Sequence, residues 1–191
     1  MFTGARRYST AVRILRREAK ALGMKSTFSI YDAQDSLRLI TMVAKGLELD
    51  PKRFAPKALQ NKISALKNEL VDPEDYAGMI QQNNPFEKAV SQVYTEYAAR
   101  LKQSNAFDFD DLLTQLVYLM RAFPEIRDSY RRRFRYILVD EYQDTNHAQY
   151  AFIRELTAGD SPVEGAELTV VGDTDQSIYA FRGADIRNIR D

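Results

Sequence analysis

The sequence predicts an α/β fold that is predominantly helical: an all-α stretch followed by a parallel-sheet segment. Three observations carry this expectation. As far as about residue 105, apolar residues recur at helical spacing and no block reads as a strand. Two short apolar runs follow, at 136–139 and 168–171, each too short for a helix and each ending in polar residues. Between them lies one helical segment, so strand, helix and strand alternate as in a βαβ unit with a right-handed crossover.

The elements follow in order. Residues 1–8 have no periodicity and read as a disordered or atypical start. From Ser9, a plausible N-cap, Val12, Leu15, Ala19 and Leu22 fall on one helical face and Gly23 ends the run. Residues 27–31 are a short extended piece. Asp32 caps a helix carrying Leu37, Ile40, Thr41 and Ala44, with Gly46 at its end. Pro51 and Pro56 sit where helices begin, since proline lacks only an N–H that a first turn cannot use. After Pro56, Leu59, Ile63, Leu66 and Leu70 form one apolar stripe, with Lys57, Lys62 and Lys67 facing elsewhere. Asp72 and Pro73 start a short helix. Pro85 opens a longer one with Phe86, Ala89, Val90, Val93, Tyr94, Tyr97 and Leu101 inward, its tyrosines read as packing rather than as a base-stacking platform. At Asp108-Phe109-Asp110-Asp111 the carboxylates suit a helix start, Asp108 as cap and the others against the helix dipole. Leu112, Leu116 and Leu119 continue the buried face, and Pro124 opens a further helical turn. After the strand at 136–139, Asn146 caps a helix with Gln149, Phe152, Ile153 and Leu156 on one side. A polar loop at 158–167 leads to the strand at 168–171.

Composition narrows the function. The 191 residues carry a net charge of +0, so any case for a polyanionic partner rests on local charge. Two basic runs qualify: Arg6, Arg7, Arg13, Arg16, Arg17, Lys20 and Lys25 against Glu18 alone, and Arg131-Arg132-Arg133 with Arg135. No cysteine is present, which excludes disulfides and thiolate chemistry and fits a reducing compartment. A single histidine, His147, excludes a His-rich metal site. No apolar run approaches the roughly 20 residues a membrane span needs. A cytoplasmic protein without a membrane partner is the expectation.

The chemistry gathers where the two strands end. In an open parallel sheet, ligands sit at the C-terminal ends of the strands. There the sequence places Asp140 and Glu141 after the first strand and Gln176 after the second. One carboxylate can serve the shell of a hard cation such as Mg²⁺, a second can activate water, and an amide can sense a γ-phosphate. Tyr179, Phe181 and Arg182, just beyond, suit stacking on unpaired bases and pairing with phosphate.

Asp140-Glu141-Tyr142-Gln143-Asp144-Thr145-Asn146 and Val171-Gly172-Asp173-Thr174-Asp175-Gln176-Ser177-Ile178-Tyr179-Ala180-Phe181-Arg182-Gly183-Ala184 resemble motifs II and III of the UvrD/PcrA/Rep helicases of superfamily 1. Val12 to Arg17, Asn68-Glu69-Leu70 and the aspartates at 108–111 also resemble the PcrA-like branch. The resemblance implies three segments: the atypical start at 1–8, a helical 1B-like subdomain over 9–105, and over 106–191 the later part of a RecA-like (P-loop NTPase) 1A subdomain. It implies ATP and Mg²⁺ as cofactors, with Asp140 and Glu141 at the metal, Glu141 and Gln176 catalytic, and Gln143 and Asp144 supporting the loop. Tyr179, Phe181 and Arg182 would contact DNA, with Phe181 where the family often has tryptophan. The implied partners are single-stranded and forked DNA and the rest of the motor, in a nucleoid-associated, cytoplasmic setting. Polarity would be 3′→5′.

These residues contain no G-x-x-x-x-G-K-[ST] loop to cradle phosphates and no counterpart of a second RecA-like domain with its arginine finger. Arg6-Arg7-Tyr8-Ser9 stands where the family has Thr-Phe-His-Ser. The expectation is a motor fragment that is inactive alone, with an unpaired strand edge beside 168–171 prone to association. The alternative is a non-catalytic DNA- or partner-binding module using the 1B-like region, suggested by the first helix's basic face and the lysines near Asn68. An unrelated Mg²⁺-dependent phosphohydrolase is a third reading.

Overall fold

The structure is a computed structural model describing residues 4–81, 83–140, 145–158 and 161–171, with side chains from residue 9 onward. In chain order the helices are α1 (Gly4–Arg17), α2 (Ala33–Gly46), α3 (Pro56–Asn68), α4 (Pro73–Met79), α5 (Pro85–Gln103), α6 (Phe109–Ala122), α7 (Pro124–Arg133) and α8 (His147–Thr157). The strands are β1 (Ser29–Tyr31), β2 (Ala106–Asp108), β3 (Tyr136–Asp140) and β4 (Glu167–Val171). The chain forms two compact units, one of residues 24–111 and one joining 1–23 to 112–191. Sequence periodicity places a single change near residue 105. The structure instead groups the first helix with the later residues.

In the unit of residues 24–111, α2 to α5 enclose one apolar core. Ile40, Val43, Leu59, Ile63, Val90, Val93, Tyr94 and Tyr97 are its centre, each at most 3% exposed. The caps at Asp32 and Asp72 are those the sequence predicts, and the one at Asn84 emerges only in the structure. Asp32 accepts hydrogen bonds from the Gln34 and Asp35 amides, Asp72 from Asp75, and Asn84 from Phe86 and Glu87. Pro56, Pro73 and Pro85 each start a helix, whereas Pro51 starts only a turn. Tyr94 and Tyr97 are buried, as packing residues should be.

Two features of this unit depart from expectation. The extended piece at 29–31 finds a parallel partner in β2, pairing Ser29 with Ala106 and Tyr31 with Asp108. Phe28 and Phe107 meet edge to face at 4.8 Å, and Asn105 accepts from the Lys25 amide at 2.8 Å. Entry and exit of the unit are thus laced together. Lys67, expected on the solvent side of α3, is 4% exposed. It lies four residues after Ile63, on the same helical face.

In the other unit, β3 and β4 form a parallel pair in register from Tyr136–Glu167 to Asp140–Val171. Helix α8 begins with Asn146 accepting from the Gln149 amide at 2.9 Å. The sequence suggests a first strand buried on both faces and a buried second strand, and the structure shows neither. Ile137 and Val139 are buried, but Tyr136 is 78% exposed. All five residues of β4 are exposed, including Leu168, Val170 and Val171. Parallel strands bury both faces only where helices cover both, and among the described residues β4 pairs with β3 alone. Helix α1 starts at Gly4, earlier than the expected cap at Ser9.

Arg131, read from sequence as part of a basic surface run, is 3% exposed. Its Nε donates to the Glu155 carbonyl at 3.1 Å, Nη1 to the Val163 carbonyl at 3.1 Å, and Nη2 to the Ala158 carbonyl. One guanidinium thereby satisfies carbonyls at the end of α8 and in the following loop, groups a helix leaves without intrahelical partners. Gly165 completes this corner, since a Cβ there would overlap the Thr157 carbonyl.

Candidate functional site

The first candidate site is the C-terminal end of the β3–β4 pair. Parallel pairing brings both strands out at the same edge, with Asp140 opposite Val171. Asp140 is half-buried there. Beyond it, Thr145 and Asn146 are buried and anchor the start of α8. Glu141, Gln143, Asp144, Gln176, Tyr179, Phe181 and Arg182 lie outside the described residues. Of the sequence-derived site residues, only Asp140 is placed.

A strand-end carboxylate such as Asp140 fits Mg²⁺ bound as part of a metal–nucleotide complex, since that ion keeps waters and takes one or two protein carboxylates beside phosphate oxygens. Among the described residues no group of three or more His, Cys, Asp or Glu could hold a metal ion.

A second polar cluster lies within the unit of residues 24–111, at the start of α6. Asp108 and Asp111 cap that helix reciprocally: the Asp111 amide donates to Asp108 at 2.9 Å and the Asp108 amide to Asp111 at 3.1 Å. The sequence reading of these aspartates as caps rather than metal ligands agrees with this geometry. What it missed is their shared counterion. Lys67 Nζ lies 2.7 Å from a carboxylate oxygen of each. Tyr97 donates to Asp108 at 2.8 Å, and the Lys67 ammonium sits 5.1 Å from the centre of the Tyr97 ring. Asn68 donates to Asp110 at 3.2 Å. The cluster borders a cleft of about 250 Å³ lined also by Asp32, Ser36, Asn61 and Ser64. The available sequence signal was Lys67 itself, a charged residue at the spacing of a buried stripe.

The electrostatics follow from one cation facing two buried carboxylates. Burial opposes the Lys67 ammonium, but Asp108 and Asp111 outweigh it and hold its pKa well above the usual value. Burial also works against the Asp108 carboxylate, which Lys67 and its hydrogen bonds nevertheless keep below the usual range. Asp111 goes the other way. Burial, then the neighbouring Asp108 charge, push it up to about 7. Two like charges in one dry site do not both ionise easily.

A pH dependence follows. Asp111 has a raised folded-state pKa, so its contribution to stability is full below its unfolded value and is lost as pH rises through about 7. Asp108 has the opposite sign and loses its contribution only in acid. Urea midpoints of the wild-type chain should therefore decline relative to Asp111→Asn between about pH 5 and about pH 8. Parallel profiles of the two proteins would show that Asp111 does not titrate there.

Parallel strands bridged by a helix define an α/β protein, a class whose ligands generally sit at the strand ends. Within that class, the UvrD/REP helicase N-terminal domain matches residues 8–191, and the chain belongs to that family. It is 56% identical over 188 residues to the ATP-dependent DNA helicase UvrD1 of Mycobacterium tuberculosis (strain H37Rv), covering 96% of this chain and 24% of that protein. UvrD1 of Mycobacterium leprae is 51% identical over 191 residues. The ATP-dependent DNA helicase PcrA of Bacillus subtilis is 43% identical over 182 residues, covering 95% of this chain and 24% of that protein. The chain spans about a quarter of the length of the curated relatives it matches. No helix among the described residues is long and apolar enough to cross a membrane.

Proposed function

We propose that this chain supplies the motif II and III part of an ATP-dependent DNA helicase that moves 3′→5′ on single-stranded DNA and unwinds duplexes. The observation that carries the reading is the joint occurrence of the two motifs, one following each strand of a strand–helix–strand unit, in a chain of the UvrD/REP family. Asp140 and Glu141 would hold Mg²⁺ bound to ATP, and that ion would neutralise phosphate charge. Glu141 orients and deprotonates the attacking water, and Gln176 reports the γ-phosphate to the DNA track. Tyr179 and Phe181 stack on unpaired bases, with Arg182 beside the phosphates.

The compact units support a RecA-like 1A unit built from 1–23 and 112–191, with residues 24–111 as a helical 1B-like insertion whose entry and exit are joined by β1 and β2. The remaining motor parts, a phosphate-loop segment and a second RecA-like domain, are the principal protein partners, in a cytoplasmic, nucleoid-associated setting serving repair or replication. Burial of Lys67 removes one reason for the alternative of a purely DNA-binding helical module, because that lysine is not a surface cation.

The test uses the intact helicase containing this chain and duplexes with a single-stranded tail at one end. Unwinding should require a 3′ tail and ATP; unwinding from 5′ tails alone would overturn the polarity, and none from either tail the function. The isolated 191 residues lack both phosphate loop and arginine finger, the latter worth about 10³–10⁵ in rate in such enzymes. They should hydrolyse no ATP above a Glu141→Gln control.

A further inference from the structure

The unit of residues 1–23 and 112–191 carries a second charged feature, away from the strand-end site. A groove of about 360 Å³ between α1 and α7 is lined by Arg13 and Arg17 on one side and by Tyr130, Arg133 and Phe134 on the other. Its aromatic floor is fixed. Tyr130 and Phe134 stack with centroids 5.9 Å apart, and the Tyr130 hydroxyl donates to Glu18 at 2.9 Å. Phe134 also borders a neighbouring cleft of about 420 Å³, with Arg132, Arg135 and Tyr136. Five exposed arginines thus surround one half-buried phenylalanine and the largely exposed Tyr136. Nearby acids are Glu18, Glu164 and Glu167. Glu18 lies 3.5 Å from Arg17. No carboxylate of the described residues forms a salt bridge with Arg13, Arg132, Arg133 or Arg135.

Placement separates this surface from the proposed nucleotide and DNA residues. Arg135 and Tyr136 stand at the N-terminal end of β3, whereas Asp140 is at its C-terminal end. A five-residue strand spans roughly 13 Å between its first and last residues. Helix dipoles favour a cation at the end of α1 or α7. They do not account for two arginine-bearing helices sharing one cleft with stacked aromatics, or for an exposed tyrosine at its continuation.

We propose that this arginine-lined groove, continued around Phe134 to the start of β3, binds the phosphate backbone of an unpaired nucleic-acid strand. Arginines pair with phosphate oxygens, and exposed aromatic faces accept bases of any sequence. A groove of about 360 Å³ suits one strand better than a duplex. The surface gives the motor a strand contact at the opposite end of the β3–β4 pair from Asp140, beyond the strand-end contacts of the proposed function.

The test measures binding of a fluorescein-labelled oligo(dT) to this chain by anisotropy across a salt series. It is done in a Tyr179→Ala, Phe181→Ala, Arg182→Ala background, so failure of the strand-end assignment stays separate from failure of this one. With Arg13, Arg132, Arg133 and Arg135 engaged, affinity should fall roughly 50-fold between about 50 and 200 mM salt. Arg13→Ala with Arg133→Ala should bind more weakly and fall only roughly sevenfold over the same range. Arg13→Lys with Arg133→Lys should restore the steep slope. Should the alanine pair fail to fold by circular dichroism, Arg132→Ala with Arg135→Ala gives the same reading. An unchanged slope in the alanine variants, or no binding by the parent, would overturn the proposal. So would tighter binding of an equal-length duplex or of a polyglutamate peptide, the latter marking the groove as a site for an acidic protein segment.

Discussion

Replacing Lys67 by methionine should destabilise the unit of residues 24–111 by about 3–5 kcal/mol, because it leaves two buried carboxylates without their shared cation. That loss is large against the roughly 5–15 kcal/mol that holds a typical domain together. Methionine fills nearly the same volume, so the effect measures charge rather than a cavity. Asp108 and Asp111 are each about nine-tenths buried or more, and among the described residues Lys67 is the cation that pairs with them. Burial and the Asp108 charge already hold the Asp111 pKa up at about 7, so protonating it is the easiest escape for the variant. The penalty should accordingly shrink as pH is lowered from about 8 to about 5. Tyrosine fluorescence in urea, with hydrogen exchange in α3 and α6, would read both effects. Lys67→Met combined with Asp108→Asn and Asp111→Asn should recover much of the loss, since neutralising a whole buried ionic cluster is far milder than breaking it. A single-variant loss below about 1 kcal/mol, the range of an exposed pair, would show that the cluster is hydrated and not the buried triad described here.

Glu141→Gln in the intact helicase should lower ATP turnover by about 10²–10⁴, the range a positioned general base contributes. The amide keeps the shape of the carboxylate but cannot take the proton of the attacking water. Nucleotide binding and single-strand binding should persist, giving a protein that holds DNA in the presence of ATP without unwinding it. Asp140→Ala should differ in kind, weakening Mg²⁺-dependent nucleotide binding itself. This contrast separates the roles of the two adjacent acids. Normal unwinding by the Glu141→Gln protein would end the assignment of Glu141 as the base.

Local rules were legible in the sequence. Asp32, Asp72 and Asn146 cap helices where their spacing to the next apolar residue says they should. The aspartates at 108 and 111 act as a capping pair, and Pro56, Pro73 and Pro85 open helices. Such features depend on residues three or four apart, which a sequence displays directly. Pro51 and Thr41 show the limit. Proline also opens turns, and a helix-face threonine can bond its own backbone in solvent, as Thr41 does to the Leu37 carbonyl at 2.7 Å.

By itself, the sequence determined the family, through two motifs in fixed order, together with the positions of most helices and of the two strands on which the catalytic proposal rests. Tertiary structure decided the fate of the charges. Lys67 and Asp108 are 41 residues apart, and Arg131 reaches a carbonyl 32 residues away. Helical spacing puts Lys67 on a buried face but cannot name a counterion that arrives from another element. Arg131 and Arg133 are indistinguishable neighbours until α8 and its loop bring unpaired carbonyls to one of them and leave the other facing water. The strand-end carboxylate at Asp140 has the same dependence: a polar residue after an apolar run becomes a candidate site only when a second strand comes into parallel register beside it.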